Sequence, residues 1–247
     1  MIPPPTEVGG FLLTCFVLDM SFSSTVISRV EQHALAEHPF VLITNNCWGS
    51  DIYPTLSRSY NTPFVGLYLP GPSYINLLKD LNGRLREKLR FIDRSPLRDQ
   101  SYPFPIALLG EDVEVHFMHY VSAEEAEQKW TRRLHRMSEA IQQGAPLRFK
   151  FCDRDPENDA CLKQFHELKM EGAVSFGVRS LEYPNHVCVP PDLASMTVPV
   201  GPRLYRKRYQ YFDFCDWIQT GQVRHTVRSR LLRKICINRP DMCLAPA

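Results

Sequence analysis

Neither a CxxC pair nor a zinc-finger spacing occurs in this 247-residue sequence, although it holds eight cysteines. These are scattered at Cys15, Cys47, Cys152, Cys161, Cys188, Cys215, Cys236 and Cys243, several inside apolar runs. That distribution suits small buried residues in a reducing compartment better than a disulfide framework. No GxxxxGK(S/T) phosphate loop, GxGxxG turn or GxSxG elbow is present, which argues against P-loop NTPases, dinucleotide-binding dehydrogenases and ordinary α/β-hydrolases. Charge of one sign is also lacking: a formal net charge of +2 gives no reason to expect nucleic acid as a partner. Glycine is scarce, with 12 residues against 20 prolines, so rigid loop turns are expected. The apolar segment Phe11–Leu18 is too short for a bilayer span, and it has neither a preceding Lys or Arg nor a small-residue cleavage site. The cytoplasm is the expected location, with room for a peripheral contact at the inner face of the membrane.

What is present is a repeated grammar of strands that end in polar chemistry. After a Pro-rich start, residues 24–38 carry apolar positions at helical spacing, and Val41–Thr44 follow as a buried strand that stops in Asn45-Asn46-Cys47-Trp48-Gly49. Residues 62–69 read as a second strand and 73–89 as a helix, followed by a loop over 90–105. Residues 109–120 alternate as one strand, placing Asp112, Glu114 and His116 on one face and His119 at its end. Ser122 and Glu125 form a capping box for a long helix running to about Gly144. Leu147–Cys152 is a strand that breaks into Asp153-Arg154-Asp155, a helix spans about 158–169, and 174–178 and 186–190 are further strands. Helix candidates at 209–220 and around Arg224–Lys234 close the chain. Strands separated by long helices imply an α/β fold: a mostly parallel, Rossmann-like layered sheet with flanking helices, with room for a second, smaller α/β lobe. The expected organisation is an N-terminal extension over 1–23 and an α/β domain over 24–220, with a sub-lobe boundary near 145. A basic helix and tail then cover 221–247.

If the strands are parallel, Asn45-Asn46-Cys47, His119 and Asp153-Arg154-Asp155 gather on one edge of the sheet, where open α/β folds bind ligands. Cys47 precedes a helix start, a position that favours thiolate, while His116 or His119 would serve as base beside Asp112. Asn45 and Asn46 would cradle a substrate, and Trp48 would offer a ring to a sugar. Glu114, Asp153, Arg154 and Asp155 would contact hydroxyls or a metal–phosphate group. Each residue has a plainer reading beside it. Cys47 is then a small buried residue, the asparagines form a turn, the acidic strand face is solvated, and one of the aspartates caps a helix. No zinc site is expected, because no second Cys/His cluster completes one, although Asp112, Glu114 and His116 on one strand face leave a divalent cation as cofactor open. The basic C-terminal helix would touch anionic lipid or serve as a solvated face.

Phe40–Gly49, Thr62–Leu67, Leu109–Tyr120, Glu125–Arg133 with Trp130, and Phe149–Asp155 occur in the same order as in a known group. The chain resembles the bacterial exopolysaccharide-biosynthesis protein family, also called domain of unknown function 1919. Ser50 stands where that family usually has a second glycine. The resemblance implies an α/β fold and a place in capsule or exopolysaccharide biosynthesis, and it brings no reaction with it. The expected function is a transferase acting on a sugar or lipid-linked saccharide intermediate, by acyl transfer through Cys47 or by glycosyl transfer. The other reading is a non-catalytic saccharide-binding or assembly factor of the same machinery.

Overall fold

A computed structural model describes residues 26–152, 154 and 159–238. Four short strands, β1 (Val41–Thr44), β5 (Leu147–Cys152), β6 (Ala173–Gly177) and β7 (His186–Cys188), form a parallel sheet in the order β1-β5-β6-β7. β1 and β6 are buried at every position, which is what a parallel sheet covered on both faces demands. Val41, Ile43, Phe149 and Phe151 point into one apolar cluster with α3 (Gly71–Lys79), α5 (Ala123–Gln142) and α6 (Asp159–Glu167). Leu42, Cys152, Val174 and Phe176 point the other way, against Trp48 and the helices α7 (Gly201–Arg206), α8 (Arg208–Tyr211) and α9 (Phe214–Thr220). The helix over residues 26–35 (α1) adds Leu35 to this second cluster, α2 (Ile52–Thr55) adds Ile52 and Tyr53, and α10 (Val227–Asn238) adds Leu232.

A second sheet differs from the sequence expectation. Residues 109–120 do not form one strand. They belong to a hairpin, β3 (Ile106–Leu109) and β4 (Val113–His116), that turns at Gly110 with φ +63. β2 (Leu89–Ile92) joins it, where the sequence suggested helix end and loop, so the small sheet is antiparallel in the order β2-β3-β4. Its residues Ala107, Leu109, Val113 and Val115 pack in the same cluster as the parallel sheet, so the two sheets share a core. The fold is therefore mixed α/β rather than mostly parallel.

Residues 62–69 are not a strand either. Pro63, Pro70 and Gly66 at φ +73 interrupt any ladder, and the segment crosses instead from β1 to β4 by isolated hydrogen bonds. Leu69 N donates to Asn45 O at 2.9 Å, and Tyr68 and His116 exchange N–H···O bonds of 2.8 Å in both directions. The helix expected over 73–89 breaks at Asp80, whose side chain caps α4 (Leu81–Arg84).

α5 carries the clearest local logic. Ser122 Oγ accepts from Glu125 N at 3.2 Å, and Glu125 Oε2 reaches back to Val121 N at 2.8 Å, so the acidic first turn is closed. Its buried stripe is Ala126, Trp130, Arg133 and Met137.

Candidate functional site

At the carboxyl end of β1 the two asparagines do different work. Asn45 Nδ2 donates to Cys152 O and its Oδ1 accepts from Cys152 N, both at 3.0 Å, so the side chain acts as an extra ladder rung between β1 and β5. Both polar atoms are thereby engaged with backbone. Asn46 caps a short 3₁₀ turn, Cys47–Ser50, by accepting from Trp48 N at 3.1 Å. Oδ1 of Asn46 also accepts from Lys150 Nζ at 2.9 Å, while its Nδ2 is buried with no partner among the described residues.

The 3₁₀ turn sends neighbouring side chains to opposite sides. Trp48 is 0% exposed and packs edge-on against Tyr205, Phe214 and Trp217, which leaves no ring face for a sugar. Cys47 faces a cavity of about 330 Å³ instead, and its Sγ lies 3.7 Å from Leu67 O. Gly201 holds the turn from behind: a Cβ there would meet Trp48 N at 2.5 Å and Trp48 Cα at 2.9 Å. Backbone contact that close is open to glycine alone.

Besides Cys47, the cavity is lined by Asp51, Tyr60, His119, Lys129 and Arg133. The linings come from β1's turn, the 60–66 segment, the loop after β4 and α5, and Pro202 closes one side. His119 is exposed, with its backbone N–H on Gly66 O at 3.1 Å. Tyr120 Oη donates to Val65 O at 2.6 Å, which fixes the phenol against the wall. Lys129 is tethered to Glu125 at 2.5 Å. Burial pushes the Cys47 thiol up to about 11; Lys150 opposes the rise and Asp51 adds to it. At neutral pH Cys47 is therefore a thiol, so thiolate attack is not its resting chemistry. A second cavity, about 360 Å³ near Phe40 and Tyr53, has its Arg58 committed to the carbonyls of Leu35, Ala36 and His38 at the end of α1.

Lys150 is the residue that sequence reasoning passed over. It sits in β5 opposite Thr44, is 0% exposed, and lies 5.8 Å from the Phe176 ring centroid. Burial draws its ammonium down to about 8, although Cys152 and Cys47 favour the charged form. The visible signal is a lysine in the middle of the run Leu147-Arg-Phe-Lys-Phe-Cys152, a strand otherwise destined for the core.

The remaining candidates scatter. Glu114 and His116 are not on a solvated face: they are 1% and 2% exposed and hydrogen-bonded to each other, with Ser95 Oγ donating to Glu114 at 2.6 Å. Tyr68, Tyr102 and Phe104 enclose the imidazole. His116 is thus away from the Cys47 cavity, in the antiparallel sheet. Asp112 does not stack with this pair; it lies in the exposed β3–β4 turn and pairs with Arg84 at 2.7 Å. Arg154 follows β5 near Lys150, and its Nη1 is buried with no partner among the described residues. Asp153 and Asp155 lie outside the described residues. Among the described residues no group of three or more His, Cys, Asp or Glu side chains converges as a metal site, and no helix is long and apolar enough to cross a membrane.

An α/β protein with a polar cavity at the carboxyl edge of a parallel sheet is what these elements define. Residues 19–219 match the family described as Domain of unknown function (DUF1919), and the chain belongs to that family. It is also similar to an uncharacterized protein of Haemophilus influenzae, 32% identical over 203 residues that cover 77% of this chain and 89% of the relative.

Proposed function

We propose that the cavity beside Cys47 is the transfer site of a transferase acting on a sugar or lipid-linked saccharide in exopolysaccharide or capsule biosynthesis. The observation that carries this reading is the convergence of Cys47, Asp51, His119, Lys129 and Arg133, from separate chain segments, on one open cavity. The resemblance of the strand-end motifs to the exopolysaccharide family supports the pathway. Glycosyl transfer is favoured over acyl transfer, because the Cys47 thiol stays protonated at neutral pH. In the step proposed, an acceptor hydroxyl attacks the anomeric carbon and the bond to a phosphate leaving group breaks. The hydroxyl proton passes to His119, while Asp51 accepts hydrogen bonds from sugar hydroxyls. The parallel sheet, covered on both faces, would serve as a short Rossmann-like core for this site.

A second reading, saccharide binding or assembly without chemistry, is favoured by the same protonated thiol. In either case α10 supports a contact with the inner membrane face. Val227 and Leu231 are exposed there at 72% and 58%, beside exposed Arg230, Arg233 and Lys234.

The test pairs turnover with binding. Wild-type protein is incubated with a panel of sugar nucleotides and acceptors, products are followed by mass spectrometry, and saccharide affinity is measured calorimetrically. His119→Gln is expected to lose transfer by about 100-fold or more while binding stays within about threefold. Binding without turnover by the wild type moves the assignment to the second reading. Neither binding nor turnover overturns both.

A further inference from the structure

The stripe by which α5 enters the core places a guanidinium where an aliphatic chain belongs. Arg133 lies between Trp130 and Met137 on that stripe and is 8% exposed. Its Nη1 donates to Tyr120 Oη at 2.5 Å and to Val65 O at 3.3 Å. The guanidinium carbon stands 4.8 Å from the Tyr60 ring centroid and 5.9 Å from that of Tyr120. Among the described residues no carboxylate forms an ion pair with it; Glu125, the acid of the same helix face, is bonded to Lys129.

Glu125 feels the charge of Arg133 only at a distance, and burying a guanidinium without a carboxylate bonded to it is unfavourable, so the arrangement calls for an explanation in the ligand. Among the described residues Nε and Nη2 of Arg133 find no hydrogen-bond partner, and neither is among the buried polar atoms that lack one. They therefore reach solvent through the cavity that Arg133 lines. That free edge is the one whose two parallel N–H groups match a pair of phosphate oxygens. The two tyrosine rings hold the plane in place before anything binds. Lys129, one turn earlier on the same wall, adds a second cation above the Tyr120 ring at 5.4 Å.

We propose that Arg133, assisted by Lys129, is the subsite for a phosphate ester or pyrophosphate carried by the saccharide substrate, whether a nucleotide or a lipid supplies it. This deepens the transferase reading, on whose cavity it rests. Arg133 fixes the leaving phosphate through a bidentate contact, and Lys129 neutralises charge that builds on it.

Calorimetry with inorganic pyrophosphate tests the subsite apart from transfer. The wild type is expected to bind it with an affinity that falls as salt rises. Arg133→Lys keeps the charge and loses the fork, and is expected to weaken binding about tenfold. A uridine diphosphate arm and a short-chain polyisoprenyl phosphate arm show which source is preferred; both should lose affinity in Arg133→Lys. Because Arg133 also braces Tyr120, Lys129→Gln serves as a second variant, with a side chain 33% exposed and an expected loss of about threefold. His119→Gln should leave pyrophosphate affinity unchanged while transfer falls. No binding by the wild type at millimolar pyrophosphate, or wild-type affinity in Lys129→Gln and in any folded Arg133→Lys, overturns the subsite. Transfer that persists in that case leaves the transferase reading standing without it.

Discussion

Lys150 Nζ donates to Asn46 Oδ1 at 2.9 Å, joining the middle of β5 to the turn that presents Cys47. Among the described residues no carboxylate pairs with this buried ammonium. Lys150→Met should therefore stabilise the fold at pH 7, by about 1–3 kcal/mol on the scale seen when buried charges are replaced by apolar groups. The folded lysine releases its proton near 8, against the ordinary 10.5. Between those values the unfolded chain binds more protons, so wild-type stability from this group rises with pH, and below 8 the penalty is constant. Urea denaturation at pH 7, 8, 9 and 10 should show the gap between variant and wild type closing above pH 8. A gap that ignores pH would mean the charge is not its cause.

Cys47 should be slow to alkylate. With its pKa pushed up to about 11 from 9.0, the thiolate fraction at pH 7 falls about 100-fold below that of an ordinary thiol. Cys188 is exposed and supplies an internal reference. Iodoacetamide labelling followed by peptide mass mapping should mark Cys188 before Cys47, with Cys47 accelerating as pH rises toward 11. Equal rates at pH 7 would restore Cys47 as a nucleophile.

The ladder rung made by Asn45 predicts a stability loss without a ligand effect. Asn45→Ala removes two buried hydrogen bonds to the Cys152 backbone, a loss of about 2–3 kcal/mol. Asn45→Asp should be no milder, since a carboxylate would face Cys152 O with no hydrogen to donate. Denaturant midpoints measure both. A neutral Asn45→Ala would show that the rung is not stabilising.

A half-buried chain of two histidines and a serine predicts an acid limb. His166 Nε2 and His186 Nδ1 each lie 2.8 Å from Ser175 Oγ, and His186 Nε2 donates to Arg179 O at 2.9 Å. Because that carbonyl only accepts, a neutral His186 takes the Ser175 proton at Nδ1 and Ser175 accepts from His166. Burial draws His166 down to about 4, reinforced by His186, and burial lowers His186 as well. Between 6.5 and 4 the unfolded chain binds more protons, so stability is lost as pH falls through that window. His166→Gln should flatten this limb in thermal melts at pH 4 to 7, and an unchanged limb would remove the histidines from it.

The strands of the parallel sheet are legible because their burial is local to each run: Val41–Thr44 is apolar or β-branched throughout, and 147–152 alternates. β2 is not, since Arg90 interrupts it and its residues are only half-buried, so its pairing with β3 supplies the order. The carboxyl end of β1 lies beside β5 through Asn45 and Cys152, while Asp153 and Asp155 fall outside the described residues; His119 reaches the Cys47 cavity by a route the sequence does not contain, from another sheet across Gly66. Arg133 looks like a solvated helix charge because its environment, Tyr60, Val65 and Tyr120, comes from distant segments. Trp48 looks like a binding residue because it is adjacent to Cys47, but a 3₁₀ turn separates neighbours as sharply as it joins them.

The missing side chain at position 201 also sets a schedule. Cys47 comes far earlier in the chain than Gly201, but its turn rests against that glycine, and Pro202 supplies part of the cavity wall. A ribosome must therefore add all of the intervening polypeptide after Cys47 before the pocket has its last wall. Until then the nascent chain carries an unfinished site, and ligand cannot select the folded state before α7 has docked.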